Sequence, residues 1–448
     1  MKQIILMRHG ISEGNEKNIV QGQLNYHLST KGVQELSKLD IKKLEKINDI
    51  YSSDLFRAVE TAKIIKERTN FAGKINTTEI LRENSAGILE GMTKEKINEE
   101  YPEYYKIYLA RGDYDLIPGA DSWYYNQSRA LAFLQKYIGK EDYNDLIVSH
   151  GAFIRNFYNL CLGRERNTKI DSIYNCSINV IQNPLNKLAI SKIEIAKTSE
   201  VFNICTYDNE YILKRYNRKL NTNDMKEINL LRYLHSFNLS PYYYYVTELN
   251  EKAVKVMEYC SGEHRIGQLT KKEIDLLINK FNILKEKLKE YKDASNFEDG
   301  NIIDDLNKTR RNLYSEEYKK RTLSLLQNEK FINYIRNGEK SLVHNDLHRY
   351  NILFNKNNIT FLDFDNIKKY PSLLQLATFI CSCFILEKNS YEYVLNMVNE
   401  KIDKEILDCL IEYRLLYGLG FFENNIKTNN YNMDDIKLRK KYIGGLNR

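Results

Sequence analysis

Along the first part of the chain, short continuous apolar runs alternate with longer segments in which apolar residues recur every three or four positions. The run QIILM, residues 3–7, ends in the polar loop Arg8-His9-Gly10. Residues 30–47 have helical periodicity behind Thr30 and are expected to form one helix. DIYSSD, 49–54, reads as a short strand, and 55–70 as a second helix. NDLIVSHG, 144–151, repeats the opening design: an apolar strand whose end carries His-Gly, followed by the helical pattern AFIRNFYNLCLG. Strand, polar loop and helix repeated in this way predict an α/β fold with a parallel-rich sheet. Ligands of such sheets lie at the carboxyl ends of the strands, where Arg8, His9 and His150 fall.

The pattern changes near residue 197. LAISKIEIAK, 188–197, alternates as a strand, and 198–218 reads as a hairpin turning at Asp208-Asn209. A helix is expected over 223–238 with Asn223 as its cap, then two strands, YYYYVTEL and KAVKVMEYC. After Cys260-Ser261-Gly262 the periodicity is helical to about residue 340. The loop around His344 and a strand over 359–365 interrupt it, and helices are expected to fill the rest. A small strand-rich lobe, a hinge and a large helical lobe give a bilobal second domain. Two domains, 1–197 and 198–448, follow, with no low-complexity linker between them.

The chain has 448 residues, 42% of them hydrophobic, enough for ordinary cores. Net charge is +7, from 67 basic and 60 acidic residues. That balance suits phosphate-bearing small molecules. It lacks the dense basic stripe of a nucleic-acid binder; the tail KLRKKYIGGLNR is the nearest approach. Seven scattered cysteines suggest a reducing, cytoplasmic setting with buried thiols, and Cys381-Ser-Cys383 lacks the second ligand pair that zinc requires. The apolar start is too short for a secretory signal, and the run 376–386 is too short to cross a bilayer. The tyrosines 242–245 are read as compositional bias on a strand.

A histidine can attack phosphorus directly and split a difficult displacement into two steps. It then needs guanidinium forks for the equatorial oxygens and an acid for the leaving oxygen. RHG with Ser12 and Asn15, SSDLFRAVETA, LRENSAGILEG and VSHG occur in that order. Together they resemble the histidine phosphatase superfamily, with its three-layer α/β phosphoglycerate-mutase-like fold. The resemblance implies His9 as nucleophile, Glu83 as proton donor, and Arg8, Asn15, Arg57 and His150 around the phosphate, with no metal or other cofactor. Glu90 is expected to be structural. The 141 residues from His9 to His150 are few for a mutase and favour a hydrolase.

The second half carries HNDLHRYN and FLDFDN, which put Asp346, Asn351 and Asp363 near one another. Phosphoryl transfer from a nucleotide needs a base at the acceptor hydroxyl, a lysine on the phosphates and oxygen ligands for magnesium. These motifs resemble the aminoglycoside phosphotransferase and choline kinase group, a protein-kinase-like α+β fold. The resemblance implies Asp346 as base, Asn351 and Asp363 as Mg²⁺ ligands, Lys214 on the ATP phosphates and Glu227 orienting it. The family often has glycine where Asn345 and Tyr350 stand; asparagine tolerates unusual backbone angles. His344 is expected to be a structural hydrogen-bonder. Acidic residues over 297–305 could attract an amine, or simply open a solvated helix.

The expectation is a bifunctional enzyme: a phosphomonoesterase fused to an ATP-dependent kinase of small-molecule alcohols. One alternative keeps a single activity and makes the other domain a ligand sensor. Another is nucleic-acid end repair, which would require a basic channel.

Overall fold

The structure, a computed structural model, describes all residues except 111–113, 166–167, 171, 194–198, 266–268, 382–387, 399–401, 426–432 and 446–448. Cys383 and the junction expected at 197/198 lie outside the described residues. Five strands build the first sheet: β1 (Lys2–Arg8), β2 (Asp49–Ser53), β3 (Ile75–Thr78), β4 (Tyr143–Ser149) and β5 (Ile178–Gln182), in the order β3-β2-β4-β1-β5. All pairs are parallel except β1 with β5. Ile4 and Leu6 of β1 enter one core with Phe133, Phe153 and Phe157; Ile5 and Met7 enter another with Leu36, Ala58, Ala62 and Ile65. A strand buried on both faces must be apolar at every position, which explains the continuous run QIILM. The helices Trp123–Leu134 and Gly151–Leu162 cover one face, and Thr30–Lys38 and Phe56–Arg68 the other, giving the three-layer α/β arrangement.

The single helix expected over 30–47 breaks. Leu39 is extended, and the Asp40 carboxylate accepts the Lys42 N–H before a 3-10 turn at Lys42–Leu44. A short acidic side chain that bonds nearby backbone competes with helix continuation.

A second sheet follows, wholly antiparallel: β6 (Ala189–Ile193), β7 (Ser199–Cys205), β8 (Glu210–Tyr216), β9 (Tyr243–Leu249) and β10 (Lys252–Glu258), ordered β6-β7-β8-β10-β9. The β7–β8 turn falls at 206–209, as expected. Phe202, Ile204, Tyr211, Leu213, Tyr245, Val254 and Val256 share one core with Ile4, Leu6 and Phe133. The chain accordingly divides into two compact units. The first holds Met1–Leu220 with Tyr243–Tyr259, and the second Asn221–Tyr242 with Cys260–Arg448.

The second unit is mainly helical. Its helix Thr222–His235 is capped by Asn221, not Asn223: the Asn221 side chain accepts from the N–H groups of 223 and 224, and Asp224 bonds back to the Asn221 N–H. That reciprocal pair fixes the start two residues early. Helix Lys404–Asn425 packs on Ile302–Asn312 and Leu373–Phe379, and Phe281 stacks on Phe379 at 3.9 Å. Where helices and one strand were expected, four short strands occur: β11 (Lys340–Val343), β12 (Ile352–Asn355), β13 (Asn358–Phe361) and β14 (Lys368–Pro371), paired β11-β14 and β12-β13. The strand expected over 359–365 ends at Phe361, because Asp363 turns to φ +58. Four-residue strands fall below the length at which alternation is legible.

Candidate active sites

The register of β1 on β4 sets Arg8 opposite Ser149. His9 and His150 therefore leave the sheet side by side, with ring centroids 5.0 Å apart. The His9 N–H donates to the Ser149 carbonyl, and the Asn175 amide bridges the His9 and Gly10 carbonyls at 3.0 and 3.2 Å. His9 Nδ1 lies 2.7 Å from the Gly10 carbonyl, which can only accept. That fixes the proton on Nδ1 and leaves the Nε2 lone pair for attack. Burial, then the charges of Arg57 and Arg8, push the His9 pKa well below the ordinary imidazole value, so the ring is neutral at neutral pH.

Arg57 is fully buried on the 56–68 helix. Its guanidinium donates to the carbonyls of Gly22 and Leu24 at 2.8 Å each. Burial pulls its pKa down to about 10, opposed by Glu83, which leaves it cationic at pH 7. His150 is also buried, and neither ring nitrogen has a hydrogen-bond partner among the described residues. Each unsatisfied buried group costs about 1–3 kcal/mol. Burial and the charges of Arg57, His9 and Arg8 lower its pKa too.

Glu83 reaches the N-terminus of the 151–162 helix. Its Oε1 accepts from the N–H groups of Asn84, Ala152 and Phe153, and its Oε2 from Ala152, all at 3.0–3.1 Å. Arg8, His9, Asn15, Arg57 and Glu83 line one cavity of about 320 Å³. Of the residues that the resemblance implies for this site, Arg8, His9, Asn15, Arg57 and Glu83 are thus at this pocket and His150 is in ring contact with His9. Glu90 accepts from Gln23 and Ala86 backbone and is structural, as expected. The sequence reading missed Lys94, Tyr108 and Arg155 on the cavity wall, and Asn175 beneath His9. No local motif marks them; they come from distant segments.

In the second unit, β11 delivers the loop His344–Asn351. Its backbone is closed by bonds into the Asp346 carbonyl, from His348 N–H at 3.0 Å and the Asn351 amide at 2.8 Å. The Asn351 carbonyl takes the Leu362 N–H at 2.8 Å, which brings the segment holding Asp363 alongside. Asp346 and Asp363 both act electrostatically on buried His344, whose pKa burial nonetheless lowers. His344 bonds the Leu362 carbonyl at 2.8 Å and is structural, as expected.

Asn351 commits its amide nitrogen to the loop, leaving its oxygen end for a ligand. Among the described residues no group of three or more His, Cys, Asp or Glu gathers for a metal. Magnesium that takes nucleotide phosphates and water needs only one or two protein oxygens, and Asn351 with Asp363 supplies hard donors of that kind.

Neither Asn345 nor Tyr350 has positive φ, so neither position needs glycine's freedom. Asn345 is there for another reason than backbone tolerance: Arg414 donates to its side-chain oxygen at 2.9 Å and its carbonyl at 2.8 Å. Tyr350 is exposed near His348 and His264. Half of the acidic residues over 297–305 meet lysines, Asp299 pairing with Lys340 and Lys369 and Glu298 with Lys368, while Asp304 and Asp305 accept from Asn301 and from the Tyr370 and Tyr413 hydroxyls. Lys214 stands on β8 in the first unit, beside its register partner Lys255, and both ammonium groups lie near the Tyr216 ring at 5.2 and 4.9 Å. Glu227 is buried on the 222–235 helix of the second unit.

A family model of the histidine phosphatase superfamily (branch 1) matches residues 4–195, and one of the phosphotransferase enzyme family matches 194–382. Phosphoglycerate mutase-like protein 4 of Arabidopsis thaliana is 33% identical over 187 residues, 40% of this chain and 79% of that protein. A metal-independent phosphoserine phosphatase of the same plant is 28% identical over 184 residues, 40% of this chain and 75% of that protein. Among solved structures, an amicoumacin kinase bound to AMP-PNP, Ca²⁺ and Ami is 14% identical, covering 57% of this chain and 88% of that one, with a TM-score of 0.46. The phosphotransferase match begins at residue 194, so β7 to β10 belong by sequence to the second family and by packing to the first unit. Among the described residues no helix is long and apolar enough to cross a membrane.

Proposed function

This chain belongs to the histidine phosphatase superfamily and carries a phosphotransferase-family domain behind that part, and from this premise we propose a bifunctional enzyme. The first site hydrolyses a small phosphomonoester. His9 Nε2 attacks phosphorus, the ester P–O bond breaks, and the departing oxygen takes the proton of the Glu83 carboxyl. Water then attacks the phosphohistidine, giving its proton to the Glu83 carboxylate and releasing phosphate with free His9. Arg8 and Arg57 hold the phosphoryl oxygens, whose negative charge grows towards the transition state; Asn15 and His150 complete the cradle. The observation that carries this reading is His9 Nδ1 held 2.7 Å from the Gly10 carbonyl, which leaves Nε2 for attack. No step in it uses a metal, as in the metal-independent phosphoserine phosphatase of Arabidopsis thaliana that it resembles.

The second site transfers the γ-phosphoryl group of ATP to a small-molecule alcohol. Asp346 takes the hydroxyl proton as the oxygen attacks phosphorus and ADP leaves. Asn351 and Asp363 would hold Mg²⁺, which neutralises phosphate charge when bound.

Acid-labile, base-stable label should accumulate on His9 when the protein is quenched during turnover of a phosphomonoester. Hydrolysis that stops with EDTA and persists in His9→Ala would overturn the first assignment. A wild-type protein that fails to bind Mg-ATP would overturn the second.

A further inference from the structure

Arg129 is a fully buried cation on the 123–134 helix, outside the His9 pocket. Its guanidinium brackets the segment that carries Glu83. One nitrogen donates to the carbonyls of Ile80 and Arg82 at 3.3 and 2.9 Å, and the other to the Asn84 side chain at 3.0 Å. It also lies 5.1 Å from the ring of Phe153, whose N–H holds the Glu83 carboxylate. Arg129 therefore grips the acid's segment on both sides of the acid and touches the helix start that receives it.

The same helix faces the second sheet. Tyr125, one turn before Arg129 and 5.7 Å from its charge, takes the Tyr245 ring of β9 edge-on at 5.2 Å. Gln127 accepts the hydroxyl proton of Tyr211 on β8. Tyr124 stacks on Tyr244 at 5.5 Å. Tyr211 and Tyr245 belong to one core, with Tyr125 and Tyr244 packed against it, so two tyrosines of the run 242–245 serve this packing.

We propose that Tyr211 and Tyr245, on strands that belong by sequence to the phosphotransferase, are positioning residues for the phosphatase proton donor, acting through the 123–134 helix and Arg129 on Glu83. This rests on the reading of Glu83 as the donor. The physical basis is that close-packed cores transmit displacement. An acid must also stand within hydrogen-bond reach of the leaving oxygen, so small shifts are expensive. Arg129 makes bonds to backbone and side chain around one carboxylate, so a tilt of its helix moves that carboxylate directly.

The test uses the full-length protein and two probes: glycerol 2-phosphate, whose alkoxide needs a proton to leave, and 2,4-dinitrophenyl phosphate, whose phenolate does not. The readout is kcat/KM, which covers only the steps up to formation of phosphohistidine. Glu83→Gln should lose roughly 10²–10⁴-fold on the alkyl ester, the usual worth of a general acid, with the aryl ester spared. Tyr245→Ala should lose roughly tenfold on the alkyl ester, a fraction of that worth, again sparing the aryl ester. Tyr245→Phe, which keeps the ring edge, should restore it. If Tyr245→Ala fails to fold, Tyr211→Phe decides the matter: it removes one hydroxyl and should show the same selective loss, smaller. Equal loss on both esters, or none, in the tyrosine variants while Glu83→Gln stays selective would overturn this proposal alone. A Glu83→Gln without selectivity would overturn the donor reading and this proposal with it.

Discussion

His9 and Asp346 differ in burial: His9 is buried, whereas Asp346 is half-buried, with its side chain 43% exposed beside His348. Each is proposed to start a phosphoryl transfer, but they need different help. An imidazole nucleophile must be neutral and hold one tautomer. Burial, two arginines and the Gly10 carbonyl supply both conditions. A carboxylate base is already ionised at pH 7 in water, so what it needs is placement. The loop supplies that through bonds into its own carbonyl and through Arg414 on the preceding residue. Burial is used where the charge state must be set, and local bonding where only position must be.

The comparison breaks most visibly if the two sites fail together. His9→Ala should remove phosphomonoester hydrolysis by roughly 10⁴-fold or more, the scale for loss of a covalent nucleophile, and leave ADP formation with an acceptor alcohol unchanged. Loss of both activities would show that the sites are not chemically separate. Asp346→Asn should lower kinase turnover by about 10²–10⁴-fold and spare the phosphatase, which coupled ADP and phosphate assays would distinguish.

The role of burial is sharpened by pH. His9 and His150 both have pKa values held well below the ordinary 6.5, so their neutral forms persist as pH falls through 6.5. Phosphatase kcat/KM should therefore show no loss near pH 6.5 from His9 protonation. Arg57→Ala removes a charge that lowers the His9 pKa, so it should move the acid limb upward while also weakening substrate binding. The stability sign follows from the same shifts. Below pH 6.5 the unfolded chain takes up protons that the folded histidines refuse, so unfolding becomes easier as pH falls. Denaturant midpoints measured from pH 7 to pH 5 should decline, and more steeply than in His150→Gln. The smallest effect is expected at the loop: Asn345→Gly removes one bond from Arg414, worth about 0.5–1.5 kcal/mol. It should reduce kinase turnover modestly and leave the phosphatase untouched; a rise in turnover would mean that the clamp misplaces Asp346.

The motifs around His9 and His150 and around Asp346 and Asp363 were legible in the residues, because each is short and sits at a strand end or on a loop. Arg8-His9-Gly10 and His150-Gly151 announce themselves as polar endings of apolar strands, and the three-layer arrangement follows from that alternation. The break at Leu39 and the cap at Asn221 were misread, because each turns on one side-chain bond to nearby backbone rather than on periodicity. Strands β11 to β14 went largely unseen because four residues carry too little pattern.

The sequence by itself determined the motifs and their order: Arg8-His9, Arg57, Glu83 and His150 in the first half, and Asp346, Asn351 and Asp363 in the second. It determined the layered first sheet as well, since a strand apolar at every position can only lie between two cores. Tertiary structure alone decided the proton on His9 Nδ1, the grip of Arg129 around Glu83 and the clamp of Arg414 on Asn345. It also decided that β7 to β10 pack into the core of the first unit. Each of these joins residues far apart in the chain, and the pattern that selects them is a fit of surfaces and hydrogen-bond directions that no local window contains.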